Sequence, residues 1–514
     1  MPNLPCEEGV MRSAAAPGTT RAGVWVLAAT VLGSSMVFID GTVVNVALPA
    51  LQTALKATVT DVQWVVEAYA LFLAALLLVG GSLGDLYGRR KVFLVGVVLF
   101  AGASAWCGFA PSIRALIVAR GVQGVGGALL VPGSLALISS SFCVEERGRA
   151  IGTWSGFTTI MTGVGPVLGG WLIEHLSWRW AFFINLPVAL LVVVISLAKV
   201  PESRDEKMVP KLDVWGAVLA TAGLCGITFA LIEARRGTER ALIAGVVGVV
   251  ALAGFFILES RSKAPMLPLD LFRSRTFSGA NLMTLFLYAA LGGVLFFLPL
   301  DLIQVRHYSA TEAGGALVPL ILLVFLLSRW SGGLIVRYGA RLPLIVGPLI
   351  AGVGFGLLTR GGLGESYWST VFPAVIVLGL GLAVSVAPLT TAVMDSIDQS
   401  RAGVASGINN AISRLAGLLA IAVFGLVFSA SFNRRMERGL DELKVSGPER
   451  QSIDAQRERL AAAASDDARV QRLIRDSFVD AYGVVLWIAV GLSVSSALSA
   501  AVLMEAGPET GRVG

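Results

Sequence analysis

Asp40, Glu67 and Arg120 each interrupt a run of apolar residues. An ionisable side chain in such a run is costly to bury, so each is a functional candidate by default. Counted at about 1.5 Å per residue along helices, the three come out at a similar depth, where one guanidinium and two carboxylates could pair. Burial disfavours an ionised carboxylate and a neighbouring Arg favours it, so such a cluster can be poised to take and release a proton. Arg stays protonated in proteins. We therefore read Asp40 and Glu67 as candidate proton carriers and Arg120 as the charge that positions them. A structural ion pair tying helices together is the competing reading.

Other polar groups recur within the apolar runs. Asp301 stands near the end of one run, while Arg329 and Arg414 stand deeper in others. Asn409 and Asn410 precede Arg414, and Gln123 follows Arg120 by one turn. With Asn45, these mark a candidate polar cavity: Asn45, Gln123, Asp301, Asn409, Asn410 and Arg414. An interhelical contact is an equal reading for Arg414, and contact with water near a helix end is the plainer one for Asp301. The stretch GFTTIMTGVGPVLGGWL (156–172) carries Gly163, Gly165, Pro166, Gly169 and Gly170. Small residues let helices approach closely in lipid, and an internal Pro removes a backbone hydrogen bond and bends the helix.

Chemistry beyond charge transfer is not indicated. His175 and His307 are the only histidines, and the four cysteines lie far apart. Neither set has metal-ligand spacing, and no phosphate-binding loop of the G-x-x-x-x-G-K-[ST] type occurs. No metal, no cofactor and no enzyme is expected.

The elements that must position these residues follow from composition. The chain has 514 residues, 55% hydrophobic and 14% charged, with mean hydropathy +0.77. A soluble domain usually carries roughly 25% charged residues, so the sequence reads as an all-α polytopic membrane protein. Its net charge of +6 sits in short turns, which gives no footprint for nucleic acid. With about 20 apolar residues per span, fourteen spans are expected, near 24–46, 62–82, 91–110, 114–137, 150–173, 180–200, 213–232, 241–259, 276–304, 311–336, 342–359, 368–394, 402–430 and 478–504. Cations in alternate short turns, among them Arg89, Arg90, Lys91, Arg147, Arg149, Arg273, Arg275, Arg337 and Arg341, place those turns and both termini in the cytoplasm. The expected organisation is a tail (1–22), a six-helix bundle (23–200), a linker with two extra helices (201–265), a second six-helix bundle (266–506) and a tail (507–514). The second bundle holds a charged loop, 431–477, expected to be an extracytoplasmic, solvated helical hairpin.

GSLGDLYGRRK (81–91) closes the second expected span, and GGLIVRYGARL (332–342) closes the tenth. Five of the eleven positions match. Turns of like side, separated by about half the chain, point to an internal duplication. The first copy carries Asp85 and Arg89 where the second has Val336 and Ala340.

GSLGDLYGRRK resembles the cytoplasmic loop signature of the major facilitator superfamily. RGVQGVGGA (120–128) resembles its fourth-span motif, and GVGPVLGGWL (163–172) its antiporter motif. DGTVVNVALP (40–49) and WRWAFFINLP (178–187) are similar to the fourteen-span drug:proton antiporter branch, the EmrB/QacA type. The resemblance implies two six-helix bundles plus two helices, working by alternating access in the cell membrane. It implies proton-driven export of amphipathic, including cationic, small molecules, with a lipid or cell-made metabolite as the alternative cargo. Asp40 and Arg120 match positions tied to proton coupling. Glu67 falls where only some relatives carry an acid. Gly81, Asp85, Gly88, Arg89 and Arg90 match a cytoplasmic latch between the halves. The one-sided Asp85 and the unusual Asp301 depart from the pattern. Expected partners are the cargo, protons and the bilayer, with an envelope partner meeting 431–477.

Overall fold

A computed structural model describes residues 21–504, except 143, 204–212, 235–238, 263–264, 361–365, 398–401 and 464. The expected tails therefore lie largely outside the described residues, as do Arg401 and the side chains of Arg147, Arg329 and Val336. Among the described residues the chain is helical throughout, and fourteen helical segments are long and apolar enough to cross a membrane.

The first half comprises α1 (Arg21–Leu55), α2 (Val59–Tyr87), α3 (Arg89–Phe109), α4 (Ile113–Ser141), α5 (Val144–His175), a short α6 (Trp180–Phe183) and α7 (Asn185–Lys199). Two inserted helices follow, α8 (Val214–Glu233) and α9 (Glu239–Arg261). The second half comprises α10 (Arg275–Leu300), extended by a π-helical turn over Asp301–Val305, then α11 (Ala310–Gly315), α12 (Val318–Gly332), α13 (Leu334–Tyr338), α14 (Arg341–Leu358), α15 (Val371–Asp395) and α16 (Ala402–Glu442). The short α17 (Gly447–Gln456) and the long α18 (Ala468–Leu503) complete it. Successive spans alternate between one end of the molecule, marked by Gly88, and the other, marked by Lys56.

Local chemistry sets the boundaries. Thr58 and Asp61 form a reciprocal capping box at the start of α2, and Ser309 and Glu312 repeat it at α11. Ser112, Asp213 and Ser274 cap α4, α8 and α10. Pro132, Pro166, Pro299, Pro348 and Pro388 lie inside helices, where each deletes a backbone donor.

Small residues set the packing. A methyl group on Gly124 would lie 2.4 Å from the Tyr69 carbonyl oxygen, and one on Gly126 would lie 2.6 Å from the Phe100 nitrogen. These glycines bring α2 and α3 against α4. In the second half Gly354 and Gly381 do the same between α14 and α15, at 2.7 Å from Leu378 N and 2.4 Å from Ala351 N. In lipid such close contact replaces the hydrophobic drive available in water.

The echoed turns prove to be one device built twice. Gly88 (φ 108°, ψ 126°) and Gly339 (φ 71°, ψ 170°) are the two described glycines of positive φ. Each donates its N–H four residues back, to Gly84 at 3.0 Å and Ile335 at 2.9 Å. The matching arginines then hold the last span of their own half: Arg90 donates to the Val200 carbonyl at 3.0 Å, and Arg341 to that of Ala501. A side chain at Gly88 would also crowd Glu202 Oε1 at 2.9 Å. Gly88→Ala is therefore expected to cost about 1–3 kcal/mol, read as a lowered Tm in detergent. Gly102→Ala is the control: nothing lies within 4 Å of the added methyl there, so Tm should hold or rise. Equal losses at both sites would contradict the backbone argument.

The loop 431–477 departs from the expectation of a solvated hairpin. α16 runs on to Glu442, and the loop packs back onto the Lys56 end, burying Ile453, Leu460 and Ala461 in the main apolar cluster. Alternation of charged with Ala and Leu residues hid this, because its apolar face is only a few residues wide. Its charges pair largely with one another, Arg457 with Glu437 at 2.9 Å and with Asp454 at 2.6 Å.

Candidate functional site

The halves meet toward the Lys56 end. Gln63 of α2 donates to the Ile421 carbonyl of α16 at 3.2 Å, and Gln304 to Gln52 Oε1 at 2.7 Å. The glycines of α5 divide their work there. Methyl groups on Gly165 and Gly169 would strike α1 at Thr42 Oγ1 (2.0 Å) and Val43 Cγ1 (3.0 Å). On Gly163 and Gly170 they would strike the second half, at Ile321 Cγ2 (2.4 Å) and the Ala310 oxygen (2.3 Å). Pro166 completes the seam, since a methyl on Gly314 would lie 2.1 Å from its carbonyl oxygen. The kinked, small-residue stretch thus faces both its own bundle and the opposite one.

Beside this seam, in the first half, lies a buried polar cluster. The Arg120 guanidinium is ion-paired with Asp40 Oδ2, and both side chains are almost wholly excluded from solvent. Arg120 also donates from Nε to the Val65 carbonyl at 3.1 Å and from Nη1 to Gln123 Oε1 at 2.7 Å. Gln123 Nε2 donates to Asp40 Oδ1 at 2.8 Å, and Asn185 Nδ2 reaches the same oxygen at 3.4 Å. Asn185 also donates to Ser104 Oγ at 3.0 Å, whose hydroxyl donates to the Phe182 carbonyl at 2.8 Å. The Tyr69 ring lies 4.1 Å from the guanidinium carbon, a cation–π distance. Gly121, Gly124 and Gly127 flank Arg120 on α4, facing Phe72, Tyr69 and Leu73 of α2. That close approach lets Arg120 reach a main-chain carbonyl of its neighbour.

Glu67 does not join the cluster. It is fully buried, and neither carboxylate oxygen has a hydrogen-bond partner. Depth along a helix was legible in the sequence, but azimuth was not. Gln63, one turn earlier on α2, points at α16, and Glu67 shares that side rather than the side facing Arg120.

The expected cavity residues separate into groups. A cavity of about 200 Å³ between the halves is lined by Asn45, Tyr69 and Arg120 from one side and Ser413, Arg414 and Gly417 from the other. Gln123 belongs to the ion-pair cluster. Asn409 donates to Asn281 Oδ1 at 3.1 Å and Thr284 Oγ1 at 2.7 Å, tying α16 to α10, while Asn410 is exposed. Asp301 is not a water-facing group: it is 2% exposed and paired with Arg306 at 2.7 Å, at the start of the π turn. Asp85 pairs with Arg89 at 2.8 Å, within one turn. Gly81 faces Pro132 of α4. Tyr69, Ser104 and Asn185 were not identified as site residues from the sequence. Asn185 stood inside the motif WRWAFFINLP, but a Tyr or Ser in an apolar run reads as core. Among the described residues, no three His, Cys, Asp or Glu side chains converge as metal ligands.

Two repeated halves around a central cavity define the architecture, and residues 30–421 match the family model of the Major Facilitator Superfamily. The chain belongs to that superfamily. It is 37% identical over 413 residues to the tetracenomycin C resistance and export protein of Streptomyces glaucescens, covering 79% of this chain and 76% of that one. It is 35% identical over 419 residues to the multidrug resistance protein Stp of Mycobacterium tuberculosis, covering 81% and 78%. In fold it is similar to a bacterial homologue of the human lysosomal transporter Spinster, solved inward-facing and unoccupied, with TM-score 0.62, 20% identity, and 94% and 98% coverage. As a member of this transporter superfamily it is not an enzyme.

Proposed function

We propose that this superfamily member is a proton-driven exporter of amphipathic small molecules, working by alternating access in the cell membrane with both termini cytoplasmic. One observation carries the reading: a fully buried Asp40–Arg120 pair stands beside a cavity lined by both halves. Arg120 cannot give up its proton, so Asp40 is the group whose protonation would break the pair. The pair ties α1 to α4, and α1 also contacts α5 at the seam. Proton uptake at Asp40 would thus loosen the first half where it meets the second. Resistance and export are named for the relatives above, and the same activity is proposed here.

The cations support this sidedness. Arg89, Arg90, Arg149, Arg273 and Arg341 gather at the Gly88 end, which the charge rule assigns to the cytoplasm. The cavity closes toward the Lys56 end and so would face inward. The Asp85–Arg89 turn, here bonded within its own half, would engage the second half when the Gly88 end closes. The test is reconstitution of the full chain in proteoliposomes. An imposed pH gradient should drive uphill movement of a cell-permeant dye, and a protonophore should abolish it. Dye flux indifferent to the gradient would refute proton drive.

A second reading, export of a lipid or lipid-like metabolite, is favoured by a different observation. An apolar groove of about 700 Å³ lies on the flank between α2, α4 and α8, lined by Phe72, Val118, Gly121 and Phe229. The exposed face of the 431–477 loop is the surface an envelope partner would meet.

A further inference from the structure

Arg414 is the charge in the cavity that the Asp40–Arg120 pair does not explain. We propose that the cavity between the halves binds planar aromatic molecules carrying an anionic group, and that Arg414 selects that group. The proposal rests on the transport reading and narrows its cargo.

Two guanidiniums line the cavity. Arg120 is neutralised by Asp40, and its remaining bonds go to Val65 and Gln123. Arg414 has no acid within ion-pair distance among the described residues; the Phe38 ring lies 5.9 Å from its guanidinium carbon. Glu67 is absent from the lining. Among the described residues, the cavity surface therefore presents one uncompensated positive charge inside the membrane-spanning region. A lone cation at that depth is costly, and such residues mark substrate paths. An anionic ligand offsets that cost, whereas a cationic ligand adds a repulsion to it, which is how a site rejects the wrong partner.

The surroundings specify the rest of the ligand. Asn45 lines the cavity, and among the described residues its buried Oδ1 has no donor. Tyr69, 5% exposed, gives the wall an aromatic edge, and Phe38, outside the lining, lies beside Arg414. Gly417, one turn beyond Ser413, adds no side chain and leaves width. Asn410, one turn from Arg414 toward the Gly88 end, is exposed, so the approach to the guanidinium is polar. The cargo expected from the sequence included cations; this lining argues for acidic aromatics instead.

Fluorescein and rhodamine 123 test this, because they share a xanthene frame and differ in charge. Each is titrated against the full chain in neutral-lipid nanodiscs, with binding read by fluorescence anisotropy. Fluorescein should bind at least about tenfold more tightly. Arg414→Gln should weaken fluorescein by on the order of 10–100-fold, the worth of a charge-assisted bond, and leave rhodamine 123 unchanged or tighter. Arg414→Lys should stay within a few-fold of the parent for fluorescein. Ser413→Asp, which adds a counter-charge on the same lining, should shift preference toward rhodamine 123 and serves if Arg414→Gln does not fold. Preference of the parent for rhodamine 123, binding of neither dye, or equal weakening of both dyes by Arg414→Gln would overturn the proposal. Binding needs no gradient, so selective binding without proton-driven flux would refute proton drive alone.

Discussion

Asp40→Asn is expected to abolish gradient-driven export and to lower Tm, because Arg120 keeps its charge with no counter-charge beside it, so flux is compared per amount of folded, reconstituted protein. In proteoliposomes under an imposed pH gradient, its uphill flux should fall by on the order of 100-fold or more, the usual worth of a positioned proton carrier. The geometry makes the substitution selective. Asn keeps the size of Asp and can still accept from Gln123 and Asn185, which bond Oδ1 at 2.8 and 3.4 Å in the parent. It removes the ion pair with Arg120 and the site at which a proton binds. Substrate exchange at equal pH on both sides, which needs no proton cycle, should persist. Full gradient-driven flux in the Asp40→Asn protein would remove Asp40 from the coupling mechanism. Glu67→Gln is the informative comparison, because Glu67 is equally buried but bonds to nothing. Loss in the first variant with only partial loss in the second would assign the essential step to the Arg-paired carboxylate.

How far the sequence exposed this site depended on which physical quantity each residue reports. Span number and order were legible, since about 20 apolar residues are needed to cross the hydrocarbon core and each gap carries Gly, Pro or charge. The duplication was legible from the two turns, and Gly88 and Gly339 adopt matching backbone conformations. The Asp40–Arg120 pairing was legible as a depth match between charges in apolar runs. Depth alone misled for Glu67, because the side of α2 that meets α4 at Gly124 is the one carrying Tyr69, Phe72 and Leu73. It misled again for Asp301, because a π-helical turn over Asp301–Val305 brings Arg306, the residue that caps it, back to the carboxylate. The latch arginine Arg90 bonds the end of its own half's last span, a partner more than a hundred residues away that no local pattern reports. Helix ends, charge and periodicity are local properties. The helix face that meets a given neighbour is a property of the assembled bundle.

Arg120→Ala carries the largest expected loss of stability. Arg120 is 1% exposed and supplies donors to Asp40, Gln123 and the Val65 carbonyl. Truncating it leaves the Asp40 carboxylate buried without its counter-charge, a change that typically costs about 3–5 kcal/mol. The variant should unfold well below the parent in detergent, or aggregate on extraction. The double variant Asp40→Asn/Arg120→Gln separates charge from packing. With both charges gone, the neutral amides can bond one another and Gln123, so most of the lost Tm should return even though transport does not. Removing one partner of a buried pair is far worse than replacing both, because the penalty lies in the orphaned charge rather than in the attraction. If the double variant is no more stable than Arg120→Ala, the loss comes from the missing guanidinium stem against Tyr69 and Phe182. In that case the pair would be packing first and electrostatics second. Recovery of the fold without recovery of flux would instead mean that the ion pair is retained for transport, because a neutral network can hold these helices together as well.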